Sequence, residues 1–102
     1  MHCYEDPEAE PLRRSIERVV GLSCFEWCSG HGVDPFRVRF TAKQAQDLAP
    51  IVCWMPPLWR VEAEIQFDGK ITFLLEGPPT TPDAWKDLEA FYKSIRINRL
   101  KK

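Results

Sequence analysis

The chain has 102 residues, enough for one domain with a single modest core. Its composition is 44% hydrophobic, 12% aromatic and 28% charged, which is typical of a folded globular protein and not of a disordered one. The formal net charge of −1 argues against a function in nucleic-acid binding, because a protein that contacts phosphates needs a basic face.

The sequence also gives an expectation for the cellular compartment. The first residues, MHCYEDPEAEP, have neither the basic flank nor the apolar core of a secretion signal. No apolar run approaches the roughly 20 residues that span a bilayer. We therefore expect a cytoplasmic protein without a membrane partner, in which the four Cys residues are reduced.

The chain is expected to begin with an acidic lead, residues 1–10, and to continue as a single domain over residues 11–102. A first helix is predicted from Pro11, because proline is favourable in a first helical turn. Its apolar stripe recurs at helical spacing and comprises Leu12, Ile16, Val19 and Val20. Gly21 is predicted to end the helix.

The segment LSCFEWC, residues 22–28, fits two kinds of element. As a strand, it alternates its side chains between two faces. As a continuation of the helix, it brings Cys24 and Cys28 onto one face. Gly21 and the aromatic residues favour the strand, and the connector SGHGVDP that follows is rich in turn residues.

The middle of the chain predicts a strand, a helix and a stiff connection. FRVRF, residues 36–40, alternates apolar and basic residues and is predicted as a strand. Thr41 is predicted to cap a helix, with Gln44 reaching back to complete a capping box. That helix should end around Pro50. Residues 51–59, IVCWMPPLW, are predicted to form an apolar connection stiffened by proline.

The clearest pattern lies in residues 59–77, WRVEAEIQFDGKITFLLEG, where apolar and polar residues alternate. A two-residue loop would leave apolar side chains on both faces of a hairpin. A three-residue loop, residues 67–69, instead aligns Ile65 with Ile71 and makes one face wholly apolar. We therefore predict the longer loop, with Gly69 in a left-handed conformation.

A final helix is predicted from Thr81 and Pro82, an N-cap and a first helical residue. Its apolar stripe comprises Trp85, Leu88, Phe91, Tyr92 and Ile95. The predicted fold class is α+β: a small antiparallel sheet of three to four strands with two or three helices packed on one face, in the order α-β-β-α-β-β-α. The hairpin residues predicted to face the core are Val61, Ala63, Ile65, Ile71, Phe73 and Leu75.

One short segment, CFEWCSGHG, suggests metal chemistry. The candidate zinc ligands are Cys24, Cys28 and His31, with Cys3 or Cys53 as a fourth. The spacing C-x3-C-x2-H differs from the usual C-x2-C, and on a strand Cys24 and Cys28 would lie roughly 13 Å apart. We therefore expect no metal or other cofactor, and keep the zinc site as an alternative.

Cys28 and His31 also suggest a thiol enzyme, with Asp34 as the nearby residue able to orient the imidazole. The chain has no glycine-rich phosphate loop, paired-carboxylate motif or serine-nucleophile motif. We therefore expect a protein that is not an enzyme, with a Cys28–His31 thiol enzyme as the enzymatic alternative.

The main functional hypothesis is a small binding module, a regulator that binds a protein partner or itself as a homodimer. The segment 51–59 holds more apolar and aromatic residues than one sheet–helix interface can bury. Its predicted partner-binding residues are Trp54, Met55, Pro57, Leu58 and Trp59. The opposing interpretation is that this segment folds back and covers the core.

A further alternative is a small-molecule pocket between the sheet and the helices. The aromatic residues predicted to line it are Trp27, Trp54, Phe73, Trp85 and Tyr92.

Overall fold

A computed structural model of the protein describes residues 5–79 and 81–100, with side chains as far as residue 94. Its helices are α1 (Glu10–Glu17), α2 (Ala49–Trp54) and α3 (Pro82–Leu100), and its strands are β1 (Leu22–Cys28), β2 (Phe36–Ala42), β3 (Arg60–Ile65) and β4 (Ile71–Gly77). Short 3-10 helices span Pro7–Ala9, Gly30–Gly32 and Ala45–Leu48. Within the described residues, none of the helices combines the length and apolar character needed to cross a membrane.

The four strands form one antiparallel sheet in the order β1-β2-β4-β3. The α+β class and the order of elements are confirmed. The core lies on the sheet face that the helices cover. The buried side chains at its centre are Phe36, Val38 and Phe40 from β2, Leu75 from β4, and Leu12, Ile16, Ile51, Leu88 and Phe91 from the helices.

The β3–β4 hairpin has the predicted register. Ile65 pairs with Ile71, and the Gln66 N–H is donated to the Lys70 carbonyl over 2.8 Å. Residues 67–69 therefore form a three-residue loop, in which Gly69 has a φ of 85°. Because the side-chain period of a strand is two, this odd loop places the apolar residues of the hairpin on one face, with the exception of Leu74.

Burial along that face differs from the prediction. Leu75 is buried and Phe73 is partly buried, but Ala63, Ile65 and Ile71 are exposed although they were predicted to be core residues. The alternation predicted the correct face, whereas burial also requires a helix above that face.

Residues 22–28 form a strand, which is the alternative that the sequence favoured, and this strand contains a bulge. The pairing register shifts between Cys24 and Glu26, so that Phe25 has no partner on β2. Cys24 is paired with Phe40 and Trp27 with Val38, and both therefore lie on the core face. The next residue, Cys28, consequently lies on the opposite face of the sheet.

The helix predicted from Thr41 to Pro50 is wrong at both ends. Thr41 pairs with Ser23 inside the sheet, and helical structure starts four residues later. Asp47 accepts the Gln44 N–H over 3.1 Å and caps this start. Pro50 lies in the first turn of α2, where its missing N–H has no helical partner to lose.

The first helix ends earlier than the sequence predicted. α1 ends at Glu17, and Gly21 turns the chain with a φ of 95°. Val19 is still buried, but Val20 is 79% exposed although it was predicted to belong to the apolar stripe. The final helix has its predicted cap, because Thr81 Oγ1 accepts the Ala84 N–H over 3.1 Å. Ile95 lies outside the side chains that are described.

Part of the expected acidic lead contacts the fold. Asp6 and Ala9 are buried, and the Asp6 N–H is donated to the Trp27 carbonyl over 3.1 Å. Glu5 forms an isolated parallel bridge with Trp27. These contacts bring residues 5 and 6 to the end of β1. The residue at which the domain begins stays a prediction.

We predict that Gly77→Ala destabilises the protein more than Gly69→Ala. A Cβ atom at Gly77 would lie 2.3 Å from Cε3 of the buried Trp59 ring, whereas a Cβ atom at Gly69 would meet nothing within 4 Å. Overpacking at Gly77 should lower the free energy of unfolding by about 1–3 kcal/mol. The left-handed φ at Gly69 should cost about 1 kcal/mol. Urea denaturation measures both, and a Gly77→Ala variant as stable as the parent would contradict the packing described.

Candidate functional site

An exposed apolar surface lies at one end of the β3–β4 hairpin. We call it the hairpin patch, formed by Ala63, Ile65 and Ile71, with Phe67 at its tip. Ile65 is 79% exposed and Ile71 57% exposed, and Phe67 is fully exposed. None of the four side chains is charged, and exposed apolar side chains grouped in this way are typical of interaction sites.

The patch is uncovered because the hairpin extends past the rest of the fold. β4 pairs with β2 only as far as Phe73, which lies opposite Phe40. Beyond that point β4 pairs with β3 alone, and the end of β2 pairs with β1. The hydrophobic core includes Phe73 and Leu75 but none of the patch residues. The buried part of this face of the hairpin therefore ends near Phe73.

The opposite face of the hairpin is closed by ion pairs. Arg39, at the centre of the sheet, contacts Glu26 on one side and Glu64 on the other. Leu74 lies between Arg39 and Glu62 on the neighbouring strands and is buried, although this face is otherwise polar. The aliphatic stems of the charged side chains account for its burial. The hairpin thus has one polar face and one apolar face.

The two tryptophans of the segment 51–59 point into the fold. The Trp54 Nε1–H is donated to the Asp87 carbonyl over 2.8 Å, and the Trp59 Nε1–H to the Asp87 carboxylate over 3.0 Å. Trp54 also stacks on Phe91 of α3, with 4.6 Å between the ring centroids. This part of the segment folds back and covers the core, which is the alternative that the sequence left open.

The rest of that segment faces outward to different degrees. Met55 is partly buried against the core, whereas Pro57 and Leu58 are exposed. The Trp59 N–H is donated to the Pro56 carbonyl over 3.2 Å, and Leu58 has a φ of 76°. Leu58 therefore occupies a turn position that favours glycine or asparagine. A partner-binding role for this segment stays a prediction, and Leu58 is its most accessible large side chain.

The five aromatic residues predicted to line a pocket, Trp27, Trp54, Phe73, Trp85 and Tyr92, do not surround one cavity. Trp85 and Tyr92 line a shallow groove between α1 and α3. The other three pack separately, against Arg13, Phe91 and Phe40 respectively. The small-molecule hypothesis stays a prediction, and this groove is where two of its five residues meet.

A cluster of possible metal ligands lies at the end of β1. Asp6, Cys28 and His31 each offer one donor atom, and these three atoms lie within 4.8 Å of one another. Cys28 Sγ is 4.0 Å from His31 Nε2, and His31 Nδ1 is 3.9 Å from Asp6 Oδ2. The structure therefore brings together Cys28 and His31, as the zinc hypothesis required, and adds Asp6.

The Asp6 carboxylate is fixed by several hydrogen bonds. Its Oδ2 accepts the Ser29 N–H over 2.8 Å and the Ser29 hydroxyl over 2.7 Å, and its Oδ1 accepts the Glu8 N–H over 3.0 Å. Burial raises the pKa of Asp6, but these hydrogen bonds and the nearby His31 lower it, and the net pKa is below the usual value. Asp6 is thus a carboxylate at neutral pH.

Three other predicted ligands or orienting residues lie elsewhere. Cys24 is on the core face, where its Sγ is 3.9 Å from the Arg13 carbonyl. Cys53 is exposed on α2, and Asp34 is not part of the cluster. Cys3, considered as a fourth ligand, lies outside the described residues. Asp6 was missed because it is distant in sequence from Cys28, and its only local signal is the Asp-Pro pair that starts a 3-10 helix.

Comparisons with known proteins found no family model, no curated protein and no solved structure that matches the chain. The hairpin patch and the cluster of Asp6, Cys28 and His31 are therefore the features on which a function can be argued.

We predict that Cys24 reacts far more slowly with iodoacetamide than Cys53. Burial, with a smaller contribution from Glu17, raises the pKa of Cys24 from 9.0 to about 12. At pH 8 the thiolate fraction of Cys24 should be about a thousandfold lower than that of a thiol with the usual pKa of 9.0. The thiolate is the form that reacts with iodoacetamide. Mass spectrometry of labelled peptides measures both rates, with protein in urea as the control for full reactivity. Equal rates in the folded protein would place Cys24 in solvent.

We predict that Leu58→Gly raises stability, because glycine adopts a positive φ without the steric cost that leucine has. The gain should be up to about 1 kcal/mol, since the greater freedom of glycine in the unfolded chain offsets part of the relief. Leu58→Ala is the matched control, which removes the exposed side chain but keeps a Cβ atom. Thermal unfolding that places Leu58→Gly below Leu58→Ala would contradict the turn geometry.

Proposed function

We propose that the protein is a non-enzymatic binding module that self-associates through the hairpin patch. The observation that carries this proposal is an apolar sheet face that continues beyond the helices, with Ile65 79% exposed and Ile71 57% exposed. A buried apolar surface is favourable by roughly 25 cal/mol per Å². Covering the patch at the end of the hairpin with a partner therefore lowers the free energy.

A second copy of the chain is the occupant that the chemistry of the patch favours. The patch offers no charge to select a partner of opposite charge, whereas an apolar surface complements itself. Two copies related by a two-fold axis can pack Ile65 and Ile71 of one chain on the same residues of the other. The small Ala63 lets the two faces approach closely beside them.

The geometry favours face-to-face packing over the addition of strands at the sheet edge. β3 is an edge strand, and its backbone groups on that side are open to another strand. However, it carries Arg60, Glu62 and Glu64 in alternation, and charged residues on an edge disfavour pairing with a further strand. The apolar face has no such barrier.

The small number of residues in the patch implies a weak, reversible dimer. The patch has four residues, whereas stable interfaces use about 20–30 residues on each partner. We therefore expect dissociation constants in the micromolar to millimolar range, in keeping with a regulator whose assembly follows its concentration.

A different protein partner at Pro57 and Leu58 is the second candidate. Leu58 is 84% exposed, in a backbone conformation that leucine rarely adopts. The six-residue strand Arg60–Ile65 separates this turn from the tip of the hairpin by about 20 Å. Substitutions at the two surfaces can therefore be tested independently.

Sedimentation equilibrium over a range of protein concentrations tests the main proposal. The parent protein should show a mass that rises with concentration, and Ile65→Lys should stay monomeric because a lysine cannot be desolvated in the apolar interface. Val20→Lys is the matched control, since Val20 is also 79% exposed but lies outside the hairpin. A parent protein that stays monomeric at millimolar concentration, or association that Ile65→Lys leaves unchanged, would reject the proposal.

A further inference from the structure

The geometry points to a zinc site at the end of β1, formed by the Asp6 carboxylate, the Cys28 thiolate and the His31 imidazole. It is separate from the hairpin patch, because the strand order puts β1 and β3 at opposite edges of the sheet. The site would therefore add metal binding to a module that associates elsewhere, and neither proposal depends on the other.

The distances are close to those of a coordinated ion. Zinc binds sulfur at about 2.3 Å and nitrogen or oxygen at about 2.0–2.2 Å, so donors in a tetrahedron lie roughly 3.3–3.7 Å apart. Cys28 Sγ and His31 Nε2 are separated by 4.0 Å, and all three donor atoms lie within 4.8 Å of one another. Shortening the donor separations by up to about 1.5 Å, which small side-chain rotations can supply, would bring the three atoms to these distances.

The donor types fit zinc. Thiolate, imidazole and carboxylate are the three side-chain ligands that zinc accepts. A thiolate and a carboxylate together bring two negative charges, which balance the charge of the ion. Asp6 is only 5% exposed, so its charge lies where a cation would be weakly screened. The His31 side chain is 56% exposed, which gives an ion access from solvent.

The surroundings hold the ligands in place. Ser29 donates two hydrogen bonds to Asp6, and the Gly30 N–H points at Cys28 Sγ over 3.4 Å. Gly30, His31 and Gly32 have φ values of 76°, 54° and 79°, a left-handed turn that carries the imidazole back toward Cys28. Hydrogen bonds of this outer kind orient metal ligands and increase metal affinity.

The same three residues fit a thiol enzyme less well. In such a site the carboxylate accepts a hydrogen bond from the imidazole and orients it. In the structure, Asp6 Oδ2 is 3.9 Å from His31 Nδ1, beyond hydrogen-bond distance, so the carboxylate does not orient the imidazole in this way. A metal site does not need that hydrogen bond, because the ion would bind the carboxylate and one imidazole nitrogen directly.

Native mass spectrometry of the full chain during zinc titration tests the site. One equivalent of zinc should bind, and cobalt in its place should show an intense thiolate-to-cobalt charge-transfer band. Cys28→Ser should abolish that band and weaken zinc binding at least tenfold. His31→Asn should weaken zinc binding similarly, and it keeps the turn because asparagine tolerates a positive φ. Cys53→Ser, which changes an exposed thiol outside the cluster, is the matched control and should bind as the parent does.

Three outcomes would overturn the inference. The first is a chain that binds no zinc, and the second is zinc binding that Cys28→Ser and His31→Asn leave unchanged. The third is a Cys28 that reacts rapidly with iodoacetamide and is not protected by added zinc, which would instead support a free nucleophile. Circular dichroism of each variant checks that it is folded, and sedimentation of the zinc-free chain tests self-association separately.

Discussion

The three-residue loop at the end of the β3–β4 hairpin is the constraint on which the rest of the fold depends. Its odd length, made possible by the left-handed Gly69, pairs Ile65 with Ile71. β4 transmits this register to the centre of the sheet, where Phe73 lies opposite Phe40. Apart from Leu74, the apolar residues of β2, β3 and β4 thus share one face. A slip of one residue would put charged side chains under the helices.

Local patterns predicted the faces of the strands but not what covers them. The alternation in residues 59–77 predicts the register of the hairpin, because a three-residue loop gives one apolar face and a two-residue loop does not. It contains no information on where the helices end, so Ile65 and Ile71 were predicted as core residues. The start of the middle helix was wrong for a similar reason, because pairing of Thr41 with Ser23 outweighed its preference for a helix cap.

For the candidate metal site, too, local sequence patterns predicted only part of the arrangement, because one ligand is distant in sequence. Cys28 and His31 are close in sequence, and their pairing was predictable. Asp6 lies before α1 in the chain, more than 20 residues from Cys28. The hydrogen bond from its N–H to the Trp27 carbonyl holds it beside the end of β1. The bulge at Phe25 also moved Cys24 to the core face, and a bulge leaves no trace in an alternating pattern. Long-range pairing and a single bulge thus decided which ligands meet.

The central claim is that the covered part of one sheet face forms the core and the uncovered part binds a second copy. Methyl NMR spectra recorded over a range of protein concentrations test it most directly. We predict that the methyl signals of Ile65 and Ile71 shift with concentration, while those of the fully buried Ile16 and Ile51 do not. Signals of Ile65 and Ile71 that stay fixed up to millimolar concentration, or shifts confined to the turn at Leu58, would contradict the claim.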